Sequence, residues 1–313
     1  MGVDVRERVR RWRPHAPALP AELEASVVDT DPEWFGRELA IAAQPPWWLW
    51  RTLLTTLSPA VSLFGRVLVT GSVAEHLRRG PLIIAANHIG DYDTFTVAAA
   101  LHRVGVVPRF LATGGIMRAP VAGPLLERCG GIRVDRGTDV AAHAMRVVLV
   151  ALERGGQVLV YPEGRVGLTA DGWPERGRTG LARLALQTRV PVIPVSQWGA
   201  HEVLQYANDW GKLRTLLSAA WRQPALRVHV GEPVPLDDLD PGRTGDAHRA
   251  RTRIVAALTR GLVPLRAGEP TDRVAFHDPT RPVRAVAAFP GGRVPDDVPG
   301  AGPTPPPAGT LRR

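Results

Sequence analysis

The sequence predicts an α/β fold, a sheet flanked by helices, because short apolar runs alternate with amphipathic segments along most of its length. Residues 81–86 and 157–161 are short runs rich in Val, Ile and Leu, as is typical of buried strands. Residues 139–154 instead repeat apolar side chains at helical spacing and end at Gly155. A chain of 313 residues is long enough to bury one sizeable core.

The individual elements follow from proline and glycine boundaries and from the period of the apolar residues. Proline opens the runs at 81–86, 108–113 and 191–195, and Thr138 or Asp139 can cap the helix at 139–154. The predicted strands are 81–86, 108–113, 131–135, 157–161, 191–195 and 226–230. The predicted helices are 94–103, 121–128, 139–154, 179–188 and 246–261. The order of the strands in the sheet does not follow from the sequence.

Three regions are expected along the chain. Residues 1–66 comprise a polar segment and an amphipathic helix, residues 67–262 form the α/β domain, and residues 263–313 are a largely disordered tail rich in Pro and Gly.

The amphipathic helix has one apolar stripe at spacings of three and four residues, formed by Trp47, Trp50, Leu54, Leu57, Val61 and Phe64. Trp-rich stripes with basic flanks suit a membrane interface, but the same stripe can pack on the protein's own core.

The net charge and the single cysteine limit which partners and which covalent or metal sites are expected. The formal net charge of +9 favours contact with anionic surfaces, and a phospholipid surface, nucleic acid or an acidic protein would each qualify. The single cysteine, Cys129, rules out an intrachain disulfide and a thiolate metal cluster. No apolar run reaches the roughly 18–20 residues that span a bilayer, and no apolar segment of a secretory signal follows the basic start.

The chemistry is concentrated in the segment that follows the strand at 81–86, which reads NHIGDYD over residues 87–93. It places His88 and Asp93 at the carboxyl end of a strand, where ligand sites of α/β sheets gather. A carboxylate on one imidazole nitrogen leaves the other nitrogen free to take a proton from a hydroxyl. Asp91 is a rival partner for His88. The spacing alone is weak evidence, because a buried histidine at a strand end would satisfy it too.

Three further blocks follow in order, each beside a predicted strand: GGIRVDR (130–136), YPEGRVG (161–167) and VPVIPV (190–195). Arg136 and Arg165 can bind a phosphate, since guanidinium matches phosphate geometry. Glu163 can hold an arginine or a substrate hydroxyl. The ordered set favours a functional site over isolated solvated charges.

At these four blocks the chain resembles the PlsC-type glycerolipid acyltransferases, the lysophosphatidate acyltransferase family, over roughly residues 67–262. The resemblance implies a catalytic pair at His88 and Asp93. It implies substrate-binding roles for Asn87, Gly131, Arg136, Glu163, Gly164, Arg165 and Pro194, the last on the acyl-donor side.

The resemblance also implies the reaction and its setting. We expect transfer of a fatty acyl chain from acyl-CoA or acyl carrier protein to the sn-2 hydroxyl of lysophosphatidate, without a metal or other cofactor. We expect a peripheral location on the cytoplasmic face of the membrane, and docking by the N-terminal amphipathic helix.

The chain departs from the family pattern at three places. Gly90 replaces the usual Ser, Arg133 replaces an aromatic residue, and residues 165–167 read Arg-Val-Gly in place of Thr-Arg-Ser. These changes keep another lysolipid or a glycolipid open as acceptor. A non-catalytic membrane-binding protein of the same fold is a further alternative. A nucleic-acid-binding protein is disfavoured because no recognition motif accompanies the charge, and a serine hydrolase because no G-x-S-x-G occurs.

Overall fold

The computed structural model describes residues 32–43, 48–118, 120, 122–134, 140–167, 172–204 and 209–267. The strands are β1 (Arg66–Gly71), β2 (Leu82–Ala86), β3 (Arg109–Thr113), β4 (Ile132–Val134), β5 (Gln157–Val160), β6 (Val192–Trp198) and β7 (Ala225–Val230). The longer helices are α1 (Pro32–Ala42), α2 (Trp48–Ser62), α4 (Asp93–Arg103), α6 (Ala122–Arg128), α7 (Val140–Glu153), α8 (Gly180–Thr188), α10 (Asp209–Arg222) and α11 (Asp246–Leu265). Three single-turn helices are α3 (Glu75–Arg78), α5 (Gly114–Met117) and α9 (Ala200–Val203).

The strands form one mixed sheet in the order β1-β7-β6-β2-β5-β3-β4. β2 pairs in parallel with β5 and β6, and β3 pairs in parallel with β4 and β5. β7 runs antiparallel to β6 and parallel to β1. The carboxyl ends of β2, β3, β4, β5 and β6 therefore meet at one edge of the sheet, where α/β folds place their sites.

Helices cover both faces of the sheet, as the burial of strand β2 shows. All five residues of β2 are buried. Ile83 and Ala85 belong to the core cluster that α7, α8 and α11 complete, whereas Leu82, Ile84 and Ala86 belong to the cluster of α2 and α4. Because side chains alternate across a strand, a strand covered on both faces reads as a continuous apolar run. The predicted α/β class and sheet flanked by helices are confirmed.

The observed elements differ from the predicted ones mainly at their ends. β6 continues to Trp198 because residues 196–198 pair with β7. α11 continues to Leu265, three residues beyond the predicted end of the α/β domain at residue 262. The sequence reasoning did not identify β1, α1 or α10. The tail beyond residue 267 lies outside the described residues.

The stripe of the N-terminal amphipathic helix packs against the sheet's own helices. Leu54 and Val61 are fully buried. The Trp50 ring meets Phe110 edge to face at 5.6 Å, and its Nε1 donates to the Pro108 carbonyl at 3.2 Å. The described part of the stripe thus packs largely on the protein's own core, and docking of this helix on a membrane stays a prediction. Trp47 lies outside the described residues.

Among the described residues, no helix combines the length and the apolar character needed to cross a bilayer.

Candidate active site

The site lies at the sheet edge where β2 and β5 end side by side. Ala85 pairs with Val160, so the chain leaves both strands at the same level. His88 follows β2 by two residues, and Tyr161 and Glu163 follow β5. The topology thus brings two of the predicted blocks, 87–93 and 161–167, onto one rim.

His88 and Asp93 form a hydrogen-bonded pair. The His88 Nδ1 donates to Asp93 Oδ2 at 2.8 Å, with 15% of the histidine side chain exposed and none of the aspartate. Among the described residues, the other ring nitrogen of His88 has no hydrogen-bond partner. The carboxylate fixes the ring tautomer and leaves that nitrogen available to take a proton.

Asp93 is held in place by the backbone of its own loop. Its Oδ2 also accepts the N–H groups of Ile89 at 2.5 Å and Gly90 at 2.9 Å. Asp93 is the first residue of α4, so its carboxylate also sits where a helix N-terminus favours negative charge. One oxygen thus closes the loop between β2 and α4 and orients the histidine.

Asp91, the rival partner, points elsewhere. Its Oδ2 lies 2.6 Å from Lys212 Nζ on α10, in a partly exposed ion pair. The geometry therefore selects Asp93 as the partner of His88.

Tyr161 stacks on the histidine. The two rings lie 4.2 Å apart between centroids and are 20° from parallel. The Tyr161 hydroxyl lies 3.3 Å from Thr94 Oγ1. Burial raises the pKa of the Tyr161 phenol, and the charge of Asp93 raises it further. A neutral ring therefore fixes the plane of the imidazole, a role that sequence reasoning missed although Tyr161 lies within the third block.

Glu163 joins the two strand-end loops. Its Oε1 accepts the His88 N–H at 2.9 Å and its Oε2 accepts the Glu175 N–H at 3.1 Å. The Gly167 N–H closes the same junction by donating to the His88 carbonyl at 2.6 Å. Glu163 is buried, and this burial raises its pKa from 4.5 to about 8. Its contacts give it a positioning role toward His88. The substrate-binding role that the resemblance implies for Glu163 stays a prediction.

Arg165 forms an ion pair with Glu175. Its terminal nitrogen lies 3.0 Å from Oε1 of the buried Glu175, and its Nε donates to Oε2 at 3.4 Å. The predicted phosphate ligand is therefore already engaged with a carboxylate. Glu175 lies outside the predicted block, ten residues further along the chain, so the sequence offers no reason to select it.

Two arginines on that loop remain exposed, Arg176 and Arg178. The Arg178 backbone N–H donates to the Pro162 carbonyl at 2.8 Å, and its side chain lies against Gly164. Gly164 adopts φ +67°, a left-handed conformation that glycine accepts readily. Arg178 is thus a cation beside the third block that sequence reasoning did not select. Arg136 lies outside the described residues.

Asn87 connects the loop that carries His88 to β6. Its Nδ2 donates to the Gln197 carbonyl at 3.0 Å and its Oδ1 accepts the Gln197 N–H at 2.8 Å. The side chain is fully buried. Both of its polar groups are therefore committed to the sheet. Asn87 is thus a structural bridge, and its expected substrate contact stays a prediction.

Gly131 and Pro194 occupy backbone positions before β4 and within β6. Gly131 precedes β4, at the opposite edge of the parallel strands, where its N–H ends α6 by donating to the Leu126 carbonyl at 2.7 Å. Pro194 lies within β6 opposite Ala85, and all of β6 is buried. Gly131 thus lies just before a strand and Pro194 within one, and their substrate contacts stay predictions.

Within the described residues, no group of three or more His, Cys, Asp or Glu side chains is placed to hold a metal ion. The rim therefore offers an oriented imidazole, a stacked phenol, and arginines on the loop after β5.

Comparison with known proteins agrees with this site. Residues 67–198 match the family model described as Acyltransferase. The chain is 28% identical over 177 residues to a 1-acyl-sn-glycerol-3-phosphate acyltransferase of Limnanthes alba, covering 55% of this chain and 54% of that protein. It is 30% identical over 155 residues to an uncharacterized protein of Mycobacterium bovis, covering 46% and 40% respectively. The chain thus spans about half the length of the curated relatives it matches.

A solved structure shares the fold. The 1-acyl-sn-glycerophosphate (LPA) acyltransferase PlsC from Thermotoga maritima superposes with a TM-score of 0.51 at 20% identity, over 79% of this chain and 88% of that one. All four blocks lie inside the matched residues 67–198. The resemblance read from those blocks is confirmed, and residues 67–198 of this chain are similar to the acyltransferase family.

Proposed function

We propose that this protein transfers a fatty acyl chain from a thioester to the free hydroxyl of a lysophospholipid, with lysophosphatidate as the first acceptor to test. The observation that carries the proposal is the hydrogen bond between His88 Nδ1 and buried Asp93 at the strand-end rim. The curated relatives named as 1-acyl-sn-glycerol-3-phosphate acyltransferases support the choice of acceptor.

The mechanism needs no nucleophile from the protein. The acceptor hydroxyl attacks the thioester carbonyl while the unpaired nitrogen of His88 takes its proton. Asp93 stabilises the imidazolium that forms. The tetrahedral intermediate then collapses, the C–S bond breaks, and His88 returns the proton to the departing thiolate. The products are the ester and free coenzyme A or acyl carrier protein.

The acceptor's phosphate would lie near the loop that follows β5. Arg176 and Arg178 are exposed there, and a guanidinium can bind phosphate through two parallel hydrogen bonds. Arg165 forms an ion pair with Glu175, so the carboxylate of Glu175 offsets its positive charge. We place the enzyme on the cytoplasmic face of the membrane, where both proposed thioester donors and the lysolipid meet.

The test is acyl transfer by the purified full chain with lysophosphatidate dispersed in detergent, offering acyl-CoA and then acyl carrier protein thioester. His88→Ala is the key variant. His102→Ala, a partly exposed histidine at the far end of α4, is the matched control. Phosphatidate formed by the wild type and the control, but not by His88→Ala, supports the proposal. Turnover confined to another lysolipid or a glycolipid would keep the mechanism and replace the acceptor. Equal activity of His88→Ala and wild type would refute the base assignment.

A further inference from the structure

Helix α10 exposes an apolar face to the outside of the protein. Trp210, Leu213, Leu217 and Trp221 are 80%, 45%, 64% and 92% exposed. Their spacings of three, four and four residues place them on one side of the helix. The opposite side packs inward, where Ala219 and Leu216 join the cluster around Val61 and Leu226. The helix is therefore apolar on two sides, and one of them has no cover among the described residues.

The exposed face has the chemistry of a lipid interface. A tryptophan stands at each end, about 16 Å apart at 1.5 Å per residue. Tryptophan is enriched at the boundary between headgroups and acyl chains. Arg214 and Arg222 flank the face and are exposed, in a chain whose net charge is +9. Such a helix lies in the plane of an anionic membrane surface.

The patch continues beyond α10. The Gln223 Nε2, just after the helix, donates to the Leu63 carbonyl at 2.6 Å, and the Leu63 side chain is 64% exposed. Leu63 follows α2, so the end of that helix contributes to the same side of the molecule. Isolated exposed apolar residues need no explanation, whereas a contiguous apolar patch of this kind marks an interaction surface.

The face is tied directly to the proposed catalytic loop. Lys212, the only lysine of the chain, lies between Trp210 and Leu213 and pairs with Asp91 at 2.6 Å. Asp91 precedes Asp93 by two residues. A Cβ at Gly90 of the same loop would lie 3.4 Å from the His201 Cα on α9, the helix that precedes α10. A surface that binds α10 would therefore also restrain the neighbouring loop that carries His88.

We propose that the exposed face of α10, formed by Trp210, Leu213, Leu217 and Trp221, docks the protein on an anionic phospholipid surface and presents the His88 loop to lipid. Its role in presenting substrate rests on the proposed function; the docking itself does not. The face of α10 is exposed, whereas Leu54 and Val61 of the α2 stripe are buried.

Vesicle binding by the full chain tests this. The probes are phosphatidylcholine vesicles with and without about a third phosphatidylglycerol. The test variant is Leu217→Gln with Trp221→Gln, and the matched control is Leu125→Gln, a 41% exposed leucine on α6 near the opposite edge of the sheet. Removing two interfacial side chains should weaken partitioning at least about tenfold, while the control should bind like the wild type. Unchanged binding of the double variant would overturn the proposal.

A second measurement shows what covers the face. Cys129 is buried, so a cysteine introduced at Ala220 can be labelled selectively with an environment-sensitive dye. A blue shift on adding anionic vesicles, absent for a label at Leu125, supports docking. A label already blue-shifted without lipid would show that protein covers the face, either another segment or a second copy, and would overturn it.

Activity measured in parallel separates the two proposals. Loss of vesicle binding in the double variant with full turnover of detergent-dispersed lysolipid supports both. Loss of binding by the variant, with no acyl transfer by the wild type on any acceptor, would leave the docking surface and remove the proposed function.

Discussion

The pairing of His88 with Asp93 predicts that the two side chains act as one catalytic unit. In Asp93→Asn the side-chain carbonyl can occupy the position of Oδ2 and accept the same three donors, but it carries no charge to stabilise the imidazolium. The new NH₂ group falls at the position of Oδ1, which is buried and has no described partner. An unsatisfied buried donor costs about 1–3 kcal/mol, so the variant should be less stable by about that amount and still fold.

The rates follow from the shared proton transfer. His88→Ala should lower kcat by roughly 10²–10⁴, the range of general-base assistance. Asp93→Asn should fall within the same range because it acts through the same imidazole. The double variant should then be within about threefold of His88→Ala alone, since residues that act as a unit are not additive.

The assay is initial-rate acyl transfer to detergent-dispersed lysophosphatidate, with thermal unfolding recorded for every variant. Asp91→Asn is the matched control, because it makes the same change two residues away on a side chain that faces Lys212. Its rate should stay within about threefold of the wild type. If the rate losses of the two single variants multiply in the double variant, so that its rate lies far below that of His88→Ala, the two residues do not act as one catalytic unit.

Three further predictions concern the surroundings of the pair. Between pH 4.5 and about 8 the folded chain holds a proton on Glu163 that the unfolded chain has lost, so stability should fall as pH rises, by at most about 1.4 kcal/mol per pH unit. Glu163→Gln should flatten that dependence in urea unfolding at pH 5 and pH 8, and an unchanged slope would contradict it. Arg178→Ala should raise the KM for lysophosphatidate about tenfold or more and leave the KM for a neutral lysolipid unchanged. The control variant Arg183→Ala, at another exposed arginine, should change neither KM. Asn87→Ala leaves the backbone N–H and C=O of Gln197 without their hydrogen bonds, so it should lower the free energy of unfolding by about 2–5 kcal/mol. Thermal unfolding measures the loss, and a loss near zero would show that water replaces the amide.

The sequence was most informative where burial alone decides the structure. The runs at 81–86 and 157–161 are strands because both of their faces are covered, which leaves an unbroken apolar pattern. The His88 loop could be placed for the same reason, since it follows such a strand. The identity of its partner could not, because Asp91 and Asp93 differ only in which way the first turn of α4 directs each carboxylate.

Tertiary contacts decided what the sequence left open. Spacing marked the stripe around Leu54 as one helix face, but only the fold shows that this face meets the core. The reverse holds for α10, where the spacing of Trp210 and Trp221 is equally helical and the face is exposed. Arg165 lies at the predicted motif position, yet its ion-pair partner Glu175 lies ten residues further along the chain, where no periodic pattern predicts a contact.

The two buried carboxyls of the site have different surroundings. Burial raises the pKa of Glu163 to about 8, and the charges of Glu175 and Asp93 add to the rise. At pH 7 roughly ten molecules therefore carry neutral Glu163 for each that carries the anion. Asp93 accepts two backbone N–H groups and the imidazole. The imidazole thus faces one carboxylate rather than two. A second buried anion would hold the proton on His88 more tightly and slow its return to the thiolate, so a neutral Glu163 suits a base that must also act as an acid in the same turnover.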